Sequence, residues 1–337
     1  MSKKLFDFCI GNPPYQNDKM GESNTALPVY HFFMDAVYEV GNAVELITPA
    51  RFLFNAGRTP KNWNQKMLSD THFKVLKYET DASKIFANTE IKGGVAITYK
   101  NDQRFFGAIE TFTTSAELNS ILKKVLLHID ENKTLSNISF VATKFNTDNL
   151  FKDFEEYQGH ERRMSSNVLN FKCFHETKKE NDILIYGNVN GKRTGKYIDE
   201  SYVDMQDPNI GLYKIVTPKA DGSGNFGEPL TNPEILEKNS GFTHTFLGIG
   251  GFEERTEAEA CLKYIKTKFT RSLLGILKIT QDLNADKWKY VPLQDFTANS
   301  DIDWSKSVHE IDEQLYQKYG LSENEVNFIE TNVKEME

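Results

Sequence analysis

Leu5-Phe6-Asp7-Phe8-Cys9-Ile10-Gly11-Asn12-Pro13-Pro14-Tyr15 decides how the rest of the chain is read. Its first six residues form an apolar run broken only by Asp7, the pattern of a buried parallel strand. Gly11 ends the run. Pro13 and Pro14 have no N–H to donate and hold an extended turn. A rigid loop at the C-terminal end of a strand is where open α/β sheets bind their ligands. The loop carries an unusual chemical set. Asn12 offers a side-chain carbonyl, Pro13 a backbone carbonyl with no competing N–H, and Tyr15 a flat aromatic face. Two fixed acceptors suit an exocyclic amino group with two N–H donors, and the face suits a planar base. An amine conjugated into a ring is a poor nucleophile. Acceptors aimed at its hydrogens favour the pyramidal, attacking nitrogen by positioning and electrostatics.

The run Asp-x-x-x-Gly-Asn-Pro-Pro-Tyr at residues 7–15 resembles the catalytic motif of amino-methylating, S-adenosylmethionine-dependent DNA methyltransferases. The Asn-Pro-Pro-Tyr form points to N6 of adenine. Related enzymes that methylate a protein glutamine amide, or guanine in ribosomal RNA, resemble it here too. The resemblance continues downstream. Ile91-Lys92-Gly93-Gly94-Val95, the segment 290–296, Asp303-Trp304 and the tail 311–321 are similar to the Eco57I-like group of adenine methyltransferases of restriction–modification systems. It implies catalytic roles for Asn12, Pro13, Pro14 and Tyr15, with Tyr15 stacking on a flipped adenine. It also implies that residues near 49–52 help to wall the base or cofactor pocket, with Arg51 placed either to reach phosphate or to form a structural salt bridge.

Composition sets outer limits. The chain has 337 residues, enough for two domains of ordinary size. Aromatics make up 12%, with 24 Phe, so a substantial core is expected. No apolar run is long enough to span a membrane, and the start has no signal-peptide pattern. Cys9, Cys173 and Cys261 form neither a metal-ligand spacing nor an even disulfide set, and no metal site is expected. These features lead us to expect a cytoplasmic protein. The net charge of −8 argues against a general nucleic-acid binder but leaves room for local basic contacts to phosphate.

Taken in order, residues 16–24 are polar and read either as a flap that orders around a flipped base or as a surface loop. Val29, Phe32, Phe33, Ala36 and Val37 recur at helical spacing; His31 in the same stretch reads as a packing or capping residue. Residues 44–49, 74–78 and 91–99 are strand candidates and 63–68 a helix. Gly93 and Gly94 read as backbone-conformation residues. Residues 114–129 form an amphipathic helix with Leu118, Ile121, Leu122 and Leu126 on one face and Ser115 as its cap. The domain boundary is set near here, with a partial catalytic domain at 1–130 and a target-recognition domain at 131–337.

The second region is polar and loop-rich, with short strands. A strand at 182–187 leads into a basic turn carrying Lys192, Arg193 and Lys196, suited to phosphate or groove contact or simply solvated. Lys219 follows a strand at 214–217, and Gly222-Ser223-Gly224 lacks the helix that a phosphate loop needs. A strand at 243–247 precedes Gly248-Ile249-Gly250-Gly251, which is not followed by the small-residue start of a cofactor helix. One long helix is expected over 256–277, carrying Lys268 and Arg271. These six cations are the candidate DNA contacts.

The fold class that follows is α/β: a partial Rossmann-like class I methyltransferase sheet, comprising its C-terminal strands, and then an α+β target-recognition domain. The cofactor implied is S-adenosylmethionine, yet its usual glycine-rich site lies upstream of the catalytic loop, where only eleven residues precede Asn12. Either the sequence is a fragment or a second chain supplies the cofactor half. In both cases an exposed apolar sheet edge is expected, with poor solubility alone or a tight partner. The partner otherwise implied is double-stranded DNA. No nuclease constellation stands out. The alternative functions are a non-catalytic DNA-recognition subunit or degenerate remnant and, third, methylation of a protein glutamine or of RNA.

Overall fold

A computed structural model describes residues 4–17, 27–87, 89–129 and 133–336. The chain divides into two compact units, Met1–Asn119 and Ser120–Glu337. It is a mixed α/β protein with several sheets. The proposed flap falls almost wholly on residues outside the described set, as does the expected boundary at 130/131.

The first unit contains β1 (Phe6–Gly11), α1 (Tyr30–Val40), β2 (Gly41–Pro49), α2 (Lys61–Ser69), β3 (Phe73–Glu79) and β4 (Val95–Asn101). Its sheet runs β1-β2-β4-β3. β1 and β2 are parallel, while β4 is antiparallel to both of its neighbours. The sheet is therefore mixed, where the apolar runs alone suggested an all-parallel one. A helix carries the chain between β1 and β2, as parallel pairing requires. Glycines 93 and 94 both have positive φ, and a Cβ on Gly94 would lie 2.4 Å from the Glu79 carbonyl oxygen. They are backbone residues, as expected.

Two expectations about burial are corrected. β1 is a parallel strand but not a buried one: it is an edge strand, and Phe8 is 75% and Ile10 82% exposed. The expected apolar edge is thus present. In α1 the buried side is Tyr30, His31, Met34 and Tyr38, while Phe32, Phe33 and Ala36 face outward. Both sets repeat at helical spacing, and packing against β2 selects the second. Tyr30, His31, Phe52 and Trp63 form one aromatic cluster, with Phe52 and Trp63 centroids 5.3 Å apart. His31 is therefore a packing residue.

α3 (Ala116–Leu126) contains the division between the units, and the Leu118 N–H donates to Ser115 Oγ at 3.0 Å. Its buried side includes Val125 rather than Leu126, which is exposed. The second unit continues with β5 (Ser139–Phe140), α4 (Thr147–Asp153), β6 (Asp182–Val189), β7 (Lys192–Asp199), β8 (Tyr213–Pro218), β9 (Glu234–Leu236), β10 (Ser240–Phe242), β11 (Phe246–Phe252), α5 (Arg255–Lys266), α6 (Lys268–Leu277), α7 (Val308–Lys318) and α8 (Glu323–Asn332). Its two sheets are β10-β6-β7 and the antiparallel β5-β11-β8-β9. The expected long helix is broken at Thr267, whose ψ of 148° is extended and whose side chain accepts from the Thr270 N–H, capping α6.

Lys214 on β8 is 1% exposed, and its ammonium donates to the Ser240 carbonyl at 2.7 Å and forms no ion pair among the described residues, the charge of Asp207 only partly offsetting its burial. Burial lowers its pKa from 10.5 to about 8. Between those values the unfolded chain holds more protons, so stability rises with pH; the penalty is fully present below pH 8. Lys214→Met should therefore compare best with wild type near neutral pH. The difference should move in favour of wild type by about 3 kcal/mol between pH 8 and 10.5, read as melting temperature across that range. A pH-independent difference would contradict a desolvated ammonium.

Candidate functional site

Residues 12–15 leave β1 as irregular chain and rejoin structure through a short antiparallel stitch. Gln16 and Pro28 form a bridge, the Val29 N–H donates to the Tyr15 carbonyl at 3.1 Å, and the Asn17 N–H to the Leu27 carbonyl at 3.0 Å. The loop is thereby fixed between β1 and α1. Asn12 and Pro14 are exposed, Pro13 and Tyr15 half-buried. The Asn12 side chain makes no hydrogen bond among the described residues, so its carbonyl is available to a ligand. The Tyr15 ring meets Phe86 edge-on at 6.4 Å. Its hydroxyl is buried without a partner among the described residues, and burial raises its pKa to about 12. The phenol is therefore neutral at physiological pH. The loop presents acceptors and an uncharged ring, the set that a neutral amino-substituted base requires.

Of the residues near 49–52, Phe52 is core. Arg51 is the one polar side chain, and its Nε–H donates to the Lys92 carbonyl at 2.5 Å rather than to a carboxylate.

The six candidate DNA contacts separate by environment. Lys192 is exposed at the β6–β7 turn. Arg193 donates to Glu234 at 2.5 Å and to the Asn232 and Thr231 carbonyls, so its guanidinium is tied inside the unit. Lys196 pairs with Glu176 at 3.1 Å, and Lys268 with Glu330 at 2.5 Å. Lys219 has no carboxylate partner among the described residues; its ammonium lies 2.7 Å from His244 Nδ1. Arg271 must be corrected. It is 2% exposed, it donates to the Lys266, Gly227, Glu228 and Lys334 carbonyls, and burial lowers its pKa to about 10. An arginine so enclosed is a structural tie and cannot touch a duplex.

Neither glycine-rich stretch makes a cofactor site. The Ser223 and Gly224 N–H groups donate to the Glu228 carboxylate, which also pairs with Lys278 at 3.0 Å. The chain's own anion fills the place that a phosphate would take. Residues 248–251 belong to β11, where the register against β8 shifts between Gly250 and Phe252, a bulge in an antiparallel sheet. Neither stretch is therefore a loop for S-adenosylmethionine.

Sequence reading missed Lys144, Arg163 and His244, which the second unit brings beside Lys219. They come from separate segments, and only the Arg162-Arg163 pair is a local signal.

The first unit thus defines a class of site: an Asn-Pro-Pro-Tyr loop at the end of a strand paired in parallel with its neighbour. Residues 1–86 match the family described as "Eco57I restriction-modification methylase". A stretch of 93 residues is 30% identical to an "Uncharacterized adenine-specific methylase" of Mycoplasma pneumoniae (strain ATCC 29342 / M129 / Subtype 1), covering 27% of this chain and 22% of that protein. The resemblance read from the motif therefore holds: the N-terminal segment is Eco57I-like and similar to an adenine-specific methylase. The match spans about a fifth of that relative's length. A solved structure, the type IIG restriction endonuclease BpuSI, aligns over 91% of this chain and 48% of its own length at 11% identity, with a TM-score of 0.32. No helix among the described residues is long and apolar enough to cross a membrane.

Proposed function

We propose that this chain presents the target adenine in an N6-adenine DNA methyltransferase of a restriction–modification system. The observation that carries this reading is the Asn12-Pro13-Pro14-Tyr15 loop, held at the end of β1 within the family-matched segment, with its acceptors unspent among the described residues. The Asn12 carbonyl and the Pro13 backbone carbonyl accept hydrogen bonds from the two N6 hydrogens. They favour the nitrogen lone pair turning out of the ring plane, and they stabilise the positive charge that grows on nitrogen. Pro14 fixes the loop, and the neutral Tyr15 ring stacks on the base. In this reading the residues near 1–130 are the C-terminal strands of a Rossmann-like catalytic sheet, and those near 131–337 form the DNA-reading domain, with Lys192, Lys196, Lys219 and Lys268 as backbone contacts.

S-adenosylmethionine supplies the methyl group. Since neither glycine-rich stretch is free to hold it, we assign it to a further segment or a second chain that completes the sheet along β1. The exposed Phe6, Phe8 and Ile10 and the free strand edge support that assignment. The second reading, a DNA-recognition subunit without catalysis, draws on the same two glycine-rich stretches, one filled by Glu228 and one within β11. Labelled methyl transfer to adenine-containing duplex DNA separates the two. The chain alone should be inactive, and addition of a cofactor-binding part from the same restriction–modification system should restore transfer. Duplex binding with no transfer under either condition would favour the second reading.

A further inference from the structure

Four segments of the second unit meet through backbone hydrogen bonds where Lys219 follows β8. Lys144 and Arg163 are paired across an antiparallel bridge, and the Met164 N–H donates to the Thr143 carbonyl at 2.9 Å. The His244 N–H donates to the Met164 carbonyl at 2.8 Å, and the Lys219 N–H to the Thr245 carbonyl at 3.0 Å. These rungs set Lys144, Arg163, His244 and Lys219 side by side. Lys144 is exposed and the other three half-buried. Among the described residues the one carboxylate paired with this group is Glu161, 3.1 Å from Arg163. Cations therefore outnumber anions, and the Arg163 Nε is buried with no acceptor among the described residues.

The contact between Lys219 and His244 fixes the ring's chemistry. An ammonium has only donors, so Nδ1 must accept, and the proton of the neutral ring sits on Nε2. Burial, followed by the charge of Lys219 and then Arg163, lowers the His244 pKa, while Glu161 opposes them. Burial, then Arg163, lowers that of Lys219. The cluster holds donors in excess and strained by one another, the condition that an incoming anion relieves.

We propose that Arg163, Lys219 and His244 form a seat for one phosphodiester of duplex DNA, with Lys144 on its rim. This rests on the DNA-binding reading above and deepens it by naming the contact. A non-bridging phosphate oxygen accepts from the guanidinium and the ammonium. As the ammonium turns from the ring to the phosphate it frees Nδ1, and the added negative charge favours a second proton there, so binding takes up a proton. Groups facing the ring are Lys219, Arg163 and Glu161.

The test is fluorescence anisotropy of a labelled duplex with the full chain, over a salt series and from pH 7.5 to 5.5. Wild type should bind more tightly as pH falls. Arg163→Ala and Lys219→Ala should weaken binding roughly five- to tenfold and flatten the salt slope by about one. Lys219→Arg should keep the slope, and His244→Ala should lose the pH dependence. Melting curves confirm that each variant folds. Wild-type affinity and slope in the alanine variants, with wild-type duplex binding intact, would overturn the seat alone. No duplex binding by wild type would overturn it together with the DNA reading. In a parallel arm, the His244 ring resonance is titrated with inorganic phosphate. A pKa rise with phosphate but none with duplex would show a free-phosphate site and overturn the proposal.

Discussion

Asn12→Ala is expected to lower methyl transfer to adenine by about 10²–10³-fold while leaving duplex affinity within about twofold and the melting temperature unchanged. The asymmetry follows from where Asn12 sits. Its side chain is exposed and makes no hydrogen bond among the described residues, so its removal leaves no partner unsatisfied in the fold. The residue before Pro13 is already held to extended backbone, which alanine adopts equally well. What alanine lacks is the carbonyl aimed at one N6 hydrogen. That interaction strengthens as positive charge grows on nitrogen, so the loss falls on turnover more than on binding. Single-turnover rates with duplex in excess read it directly. A variant that transfers at the wild-type rate would remove Asn12 from the chemistry.

The second large effect concerns β1. Ile10→Lys, alone or with Phe8→Lys, should abolish stimulation by the cofactor-binding part, by tenfold or more, and should reduce self-association of the isolated chain. Phe8 and Ile10 share one face of the strand, and both are largely exposed. Surface substitutions of this kind cost about 0.5 kcal/mol or less in the unit itself. A charged side chain on an apolar contact face, by contrast, must be desolvated unpaired when the partner arrives. Sedimentation of the chain alone and a titration of activity against the added part give the two readouts. Full stimulation of the Ile10→Lys chain would move the contact elsewhere.

The first strand and the irregular loop that follows it were legible in the sequence because they are local: a short apolar run, a glycine, two prolines. The burial of β1 was not, since an apolar run looks the same in the middle of a sheet and at its edge. The outward set in α1 was misread for a related reason. That helix is apolar on both sides, and only its packing on β2 chooses between Phe32 and Met34. The break at Thr267 had a signal, a threonine three residues before Thr270 within an apolar run, but the helical spacing continues through it. Arg271 was indistinguishable from a surface cation, because three of the four carbonyls that enclose it come from residues far away in the chain. The Arg163, Lys219 and His244 cluster was illegible for the same cause: its members become neighbours only once the ladders around β8, β10 and β11 have formed.

The central claim is that the loop at residues 12–15 presents the amino group of adenine. The most direct measurement is nucleoside analysis of duplex DNA after reaction with labelled S-adenosylmethionine, the chain and its cofactor-binding part. The label should be recovered as N6-methyladenine and should vanish with Asn12→Ala. Recovery in another base, in RNA or in protein, or recovery undiminished by Asn12→Ala, would contradict the account.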